Sequence, residues 1–118
     1  MKFVINKHKW EIINIPNDKM QEMYKQITGI TDAFAYGLTQ YSGQKIYINK
    51  DLNPEQVIAT LKHELTHCYL WTYGFREVEY SQEIICDIVA SSNDFINEIV
   101  KRYGGNKMAC KRKGGRRK

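Results

Sequence analysis

Residues 53–74 read Asn53-Pro54-Glu55-Gln56-Val57-Ile58-Ala59-Thr60-Leu61-Lys62-His63-Glu64-Leu65-Thr66-His67-Cys68-Tyr69-Leu70-Trp71-Thr72-Tyr73-Gly74. The stretch opens on the strongest helix start in the chain. Asn53 is an N-cap residue, Pro54 suits the first helical position, Glu55 puts an acid in the first turn, and Gln56 completes a capping box three residues after the cap. Val57, Ile58, Leu61, Leu65, Cys68, Tyr69 and Thr72 mark one apolar face, and Gly74 supplies the stop.

Upstream, Lys2 to Asn6 and Trp10 to Ile15 are β-branched and aromatic runs joined by a turn signal over Asn6-Lys7-His8-Lys9, which predicts a hairpin. Pro16 stops the second strand. Asn17 or Asp18 is expected to cap a helix carrying Met20, Met23, Tyr24 and Ile27 until Gly29. A second strand pair is expected over Ala33 to Tyr41 and Lys45 to Asn49. Within it Gly37 marks either a bulge or a place of close backbone approach. Downstream of Gly74 comes a loop with Glu77 and Glu79, then a long helix capped by Ser81. Its apolar period runs from Ile84 to Tyr103, and Gly104-Gly105 is expected to end it. These elements predict an α+β fold, a small domain over residues 1–105 with an antiparallel or mixed sheet on about three helices. A basic tail, 106–118, without apolar periodicity is expected to be disordered.

The chain has 118 residues, 42% of them hydrophobic and 26% charged, which allows one modest core. No apolar run is long enough for a membrane span, and charges in the first twenty residues leave no signal peptide, so a soluble cytoplasmic protein is expected. The net charge of +5 suggests a polyanion partner until it is located. Lys107 to Lys118 hold seven basic residues and no acid, leaving residues 1–106 with 11 basic and 13 acidic side chains. Nucleic acid contact, if any, belongs to that tail and would be non-specific. Cys68, Cys86 and Cys110 are odd in number and show no C-x-x-C pair, which argues against a disulfide framework or an all-thiolate zinc site.

Inside the capped helix stands His63-Glu64-Leu65-Thr66-His67, an H-E-x-x-H pattern. Residues four apart on a helix differ by about 40° around its axis, so both imidazoles can face one ion. Glu64 is turned about 100° from His63, where a carboxylate can serve as general base to a water rather than share the metal. A catalytic zinc ion wants three protein ligands and one open position. His8 lies far off in the N-terminal hairpin. Leu70 and Tyr73 stand where a metzincin extension of the motif would place Gly and His. The remaining candidates are acids: Glu77 and Glu79 in the loop, and Glu83 at the start of the last helix, with Asp87 one turn on. Because helices place side chains more rigidly than loops, Glu83 is favoured as ligand and Asp87 as hydrogen-bond acceptor for a ligand histidine.

H-E-L-T-H followed by Glu83-Ile84-Ile85-Cys86-Asp87 resembles the gluzincin pattern. The small size and short spacing resemble the ImmA/IrrE family of bacterial and phage metallopeptidases, with Cys86-Asp87 in place of the family's Ala-Asn. The resemblance, over roughly residues 36–100, implies a minimal zincin fold and one zinc ion held by His63, His67 and Glu83. It also implies Glu64 as general base and Asp87 holding His63. A protein or peptide substrate, such as a DNA-bound regulator, is expected to pair with the sheet edge just before the metal helix, mapped onto Lys45 to Asn49. A donor to the oxyanion is sought among Tyr69, Tyr73 and Tyr80, with Tyr80 chosen. The alternative is a non-catalytic nucleic-acid- or partner-binding protein that uses the basic tail, its metal site structural or degenerate.

Overall fold

The computed structural model describes the backbone of residues 1–74 and 82–114, and the side chains of residues 1–74, 85, 88, 89 and 91–105. It is a small α+β fold with a four-stranded mixed sheet and three helices. The contacts divide the chain into two compact units, residues 1–79 and residues 80–118.

The first unit holds the sheet. Strands β1 (Lys2–Ile5) and β2 (His8–Ile15) form the expected hairpin. Its turn is tighter than the sequence suggested: Asn6 and Lys7 both take positive φ, 47° and 68°, as a two-residue primed turn requires, so His8 and Lys9 join the strand. Helix α1 (Asn17–Thr28) follows, then β3 (Gly37–Gln40), β4 (Lys45–Asn49) and helix α2 (Pro54–Thr72). The strand order is β1-β2-β4-β3, with β2 and β4 parallel and the other pairs antiparallel. Lys45–Asn49 is therefore an interior strand. Its backbone pairs with β2 on one side and β3 on the other, so it cannot offer the free edge assigned to it from sequence; among the described residues the edges belong to β1 and β3.

Each face of the sheet meets a helix, as the side-chain alternation of the strands requires. Ile13, Ile15 and Tyr47 point to the side where Met20, Met23 and Tyr24 of α1 pack. Ile12, Ile46 and Ile48 have the opposite parity and are 2% exposed or less, beside the buried Val57, Leu61, Leu65 and Cys68 of α2. Gly37 pairs with Ile48 and Thr39 with Ile46, which puts both of these β3 residues on the α2 side.

The segment entering β3 is held by polar groups. Gln21 of α1 donates from Nε2 to the Ala35 carbonyl and accepts from the Ala35 N–H, both at 2.8 Å. Fully buried Asn49 donates to Asn17 Oδ1 at 2.7 Å and accepts from the Asp51 N–H at 3.0 Å. Ala33 to Tyr36, expected as strand, lie outside it: Ala35 is clasped onto α1, and the Tyr36 carbonyl accepts from the Asn49 N–H at 3.0 Å. The start of α1 also departs from expectation: the N-cap is Pro16, and the Asn17 N–H donates to Asp51 Oδ2 at 2.8 Å, so the cap comes from another loop.

Helix α2 starts and stops as its sequence indicates. Asn53 accepts from the Gln56 N–H at 2.8 Å, and the Gln56 side chain accepts from the Asn53 N–H, a complete capping box. Gly74 takes a φ of 79° just past the C-cap.

The second unit is helix α3 (Gln82–Gly114). Ile88, Ser92, Ile99 and Tyr103 are buried along it, while Ile85 and Val89 are exposed. Gly104 and Gly105 lie within the helix and do not end it. A glycine costs roughly 1 kcal/mol in a helix interior, which weakens a helix without forbidding it. The side chains of 106–114 and all of 115–118 fall outside the described residues, as does the Ser81 cap expected for this helix. Among the described residues no helix is long and apolar enough to cross a membrane.

Replacing Asn53 by Ala removes the cap side chain and is expected to lower stability by about 1 kcal/mol, read as a drop in the denaturant midpoint with an unchanged slope.

Candidate functional site

Two turns of α2 and the strand facing them build the site. Thr60, Glu64 and Cys68 recur every fourth residue and line one stripe of the helix, while Gly37, Thr39 and Tyr41 alternate along β3 and its continuation. Two residues of strand rise about 6.6 Å and four of helix about 6 Å, so the two series run in step. Gly37 meets Thr60 and Glu64, and Thr39 meets Glu64. The ring of Tyr41, one step on, stacks on Trp71 with centroids 6.0 Å apart.

Gly37 is what permits this approach. A Cβ there would stand 2.7 Å from Thr60 Cγ2, 3.0 Å from the Tyr47 carbonyl oxygen and 3.2 Å from Glu64 Cγ. Of the two roles the sequence left open for this glycine, close approach is the one observed.

The approach buries Glu64. It is 7% exposed, although its neighbour His63 is exposed. Thr39 Oγ1 donates to Glu64 Oε1 at 2.6 Å. The carboxylate also acts on its surroundings: burial first, then the Glu64 charge and Cys68, raise the Tyr41 phenol above its ordinary range and keep it protonated. Burial pushes the Cys68 thiol up to about 12, so it behaves as a small apolar residue.

The two histidines point elsewhere, as the helical period dictates. His63 Nε2 and His67 Nε2 face one another at 3.2 Å, the rings 4.8 Å apart and nearly perpendicular at 77°. At that distance one Nε2–H can donate to the other nitrogen, or both lone pairs can face one cation. Two imidazole nitrogens at tetrahedral positions around zinc, each about 2.0–2.1 Å from it, lie about 3.3 Å apart. The separation of the two nitrogens therefore matches that of a zinc-bound pair. Among the described residues no group of three His, Cys, Asp or Glu side chains gathers. Glu83 and Asp87 fall one turn apart on α3, with side chains outside the described residues, and Glu77, Glu79 and Tyr80 lie outside them altogether.

A cleft of about 350 Å³ opens beside His63 and Glu64, lined also by Tyr36, Gly37, Ala59 and Thr60. Tyr36 is 46% exposed, and its ring meets that of exposed Phe34 edge-on at 5.1 Å. Among the described residues Tyr36 is the tyrosine that lines this cleft, and it lies in a segment whose sequence reads only as strand. Tyr69 and Tyr73 do not line this cleft; their rings pack on each other at 4.7 Å. His8 is taken up by packing against Trp71, ring centroids 5.6 Å apart, with Nδ1 facing Gln44 Nε2 at 3.3 Å.

Thr39 was not legible as a site residue. A lone threonine in a short strand is unremarkable in sequence, and only the register of β3 against α2 gives it a carboxylate partner.

Compared with known protein families, curated proteins and solved structures, the chain matches none.

Replacing Gly37 by Ala forces a methyl group into the Thr60 and Glu64 side chains and is expected to cost about 1–3 kcal/mol, seen as a lowered melting temperature, with Glu64 pushed out of its bond to Thr39.

Proposed function

We propose that this protein is a zinc-dependent metallopeptidase that hydrolyses peptide bonds of a protein substrate. One observation carries the reading: two imidazole nitrogens 3.2 Å apart on adjacent turns of α2, with the intervening turn presenting a buried carboxylate to the cleft that His63 also lines. The resemblance of H-E-L-T-H with Glu83 and Asp87 to the ImmA/IrrE metallopeptidases supports the same reading, as does the α+β architecture.

In this proposal His63, His67 and Glu83 would hold one zinc ion, and Asp87 would accept a hydrogen bond from His63 to fix its ring. Zinc supplies Lewis acidity, making water a nucleophile near neutral pH and polarising a carbonyl. Glu64 does the proton work. Thr39 engages Oε1, and among the described residues Oε2 has no hydrogen bond, so Oε2 is the atom that takes a proton from the attacking water and returns it to the leaving amine. Burial in a largely apolar cleft strengthens each of these charge interactions relative to water. Tyr36, which lines the cleft, joins Tyr80 as a candidate donor to the oxyanion. The substrate lies extended along the free edge of β3, the strand that α2 packs against, in place of the interior Lys45–Asn49.

The enzyme works in the cytoplasm, and the seven basic residues of Lys107–Lys118 give it a salt-sensitive, sequence-independent contact with nucleic acid that suits a DNA-bound regulator as substrate.

Glu64→Gln is expected to retain zinc by elemental analysis and to lose at least about 100-fold in turnover of a denatured protein substrate, the usual scale for a general base. Unchanged turnover would end the mechanism. Zinc content also assigns the third ligand: Glu83→Ala should lower it far more than Glu77→Ala or Glu79→Ala, and the reverse order moves the ligand into the loop.

A further inference from the structure

Glu64 is a charged side chain almost fully removed from water, and its burial needs a reason beyond the helical period. A carboxylate in that state is costly unless a donor satisfies it. Thr39 is that donor. Its hydroxyl lies 2.6 Å from Glu64 Oε1 and 3.4 Å from the Glu64 carbonyl oxygen, so its single proton goes to the nearer, charged acceptor. The backbone of Thr39 is itself fixed by pairing with Ile46 in the sheet interior. Gly37, two residues before Thr39 on the same face of β3, lies against Thr60 and the Glu64 Cγ, and the absence of a side chain there leaves the cleft open.

We infer that Thr39 is a positioning residue for Glu64: its hydroxyl clamps Oε1 against the sheet and so aims Oε2 into the cleft beside His63. This rests on the metallopeptidase reading, in which Glu64 is the base. A free glutamate on a helix samples several rotamers, and most of them would carry the carboxylate out to solvent or back along α2. Holding one oxygen selects the rotamer that faces the cleft. The hydroxyl thereby acts on the rate of the proton-transfer step and not on substrate affinity, since it touches the oxygen that the substrate does not use. The clamp sits on the edge strand itself, so the element proposed to align the substrate also aligns the base.

The test compares wild type with Thr39→Val, which keeps the shape and removes the hydroxyl, and Thr39→Ser, which keeps the hydroxyl. Each is loaded with zinc and assayed on denatured casein and on a mixed-sequence peptide library. Thr39→Val is expected to lower kcat about 10- to 100-fold with KM changed less than about twofold and zinc content unchanged; Thr39→Ser is expected to recover to within about threefold of wild type. Wild-type kcat in Thr39→Val, or equal loss in both variants, overturns the inference while leaving the peptidase reading intact. No zinc-dependent cleavage by wild type overturns that reading, and the inference with it. A measurement independent of turnover reads the clamp itself: in the zinc-free protein, thermal stabilities of Thr39→Val, Glu64→Leu and the double variant should be non-additive, and additive losses would show that the two side chains are not coupled.

Discussion

The close approach of α2 to the edge strand β3 is the constraint on which the rest of this structure depends. It requires a residue without a side chain at Gly37, where any Cβ would collide with Thr60, the Tyr47 carbonyl and Glu64. It also requires a small polar residue at Thr39, because the helix face pressed against the strand carries an acid as well as apolar groups. Between them, the missing side chain and the hydroxyl turn a helix-on-sheet contact into a socket for one carboxylate. The clasp of Gln21 on Ala35 and the hydrogen bonds of buried Asn49 serve the same end from the other face, holding the chain that leads into Gly37 against α1.

The helix divides the labour of the site by its own geometry. Residues four apart share a face, and the next residue is turned by about 100°, so the imidazoles of His63 and His67 meet in the open while Glu64 faces the sheet. A carboxylate that is buried and hydrogen-bonded beside an exposed pair of nitrogens gives one stretch of helix two environments that no single side chain could have. In the proposed metallopeptidase the pair would have to be reachable by an ion and a substrate, while the carboxylate would have to be held still in a medium of low polarity.

Much of the fold was legible because it follows from local rules. The capping box of α2, its stop at Gly74 and the N-terminal hairpin are each determined by a few adjacent residues. The misreadings share a different cause. The cap of α1 comes from Asp51, thirty-four residues away in sequence, so no local pattern could reveal it. Gly104 and Gly105 read as a stop on propensity alone, yet α3 continues through them. Lys45–Asn49 was expected at an edge because the resemblance assigns the substrate to the strand just before the metal helix, whereas the parallel pairing of β2 with β4 places it inside the sheet.

Within the candidate site, the sequence by itself determined how His63, Glu64 and His67 are disposed around α2, since a helical period of 3.6 residues converts their spacing directly into directions around an axis. It also marked Gly37 as a place of close approach or a bulge. Only the tertiary structure decided between those two, and only it brought Thr39 to Glu64, Tyr36 to the cleft and the free sheet edge to β3. These are contacts between elements. Their existence depends on which strand lies beside which helix and in what register, and sequence separation carries no information about either.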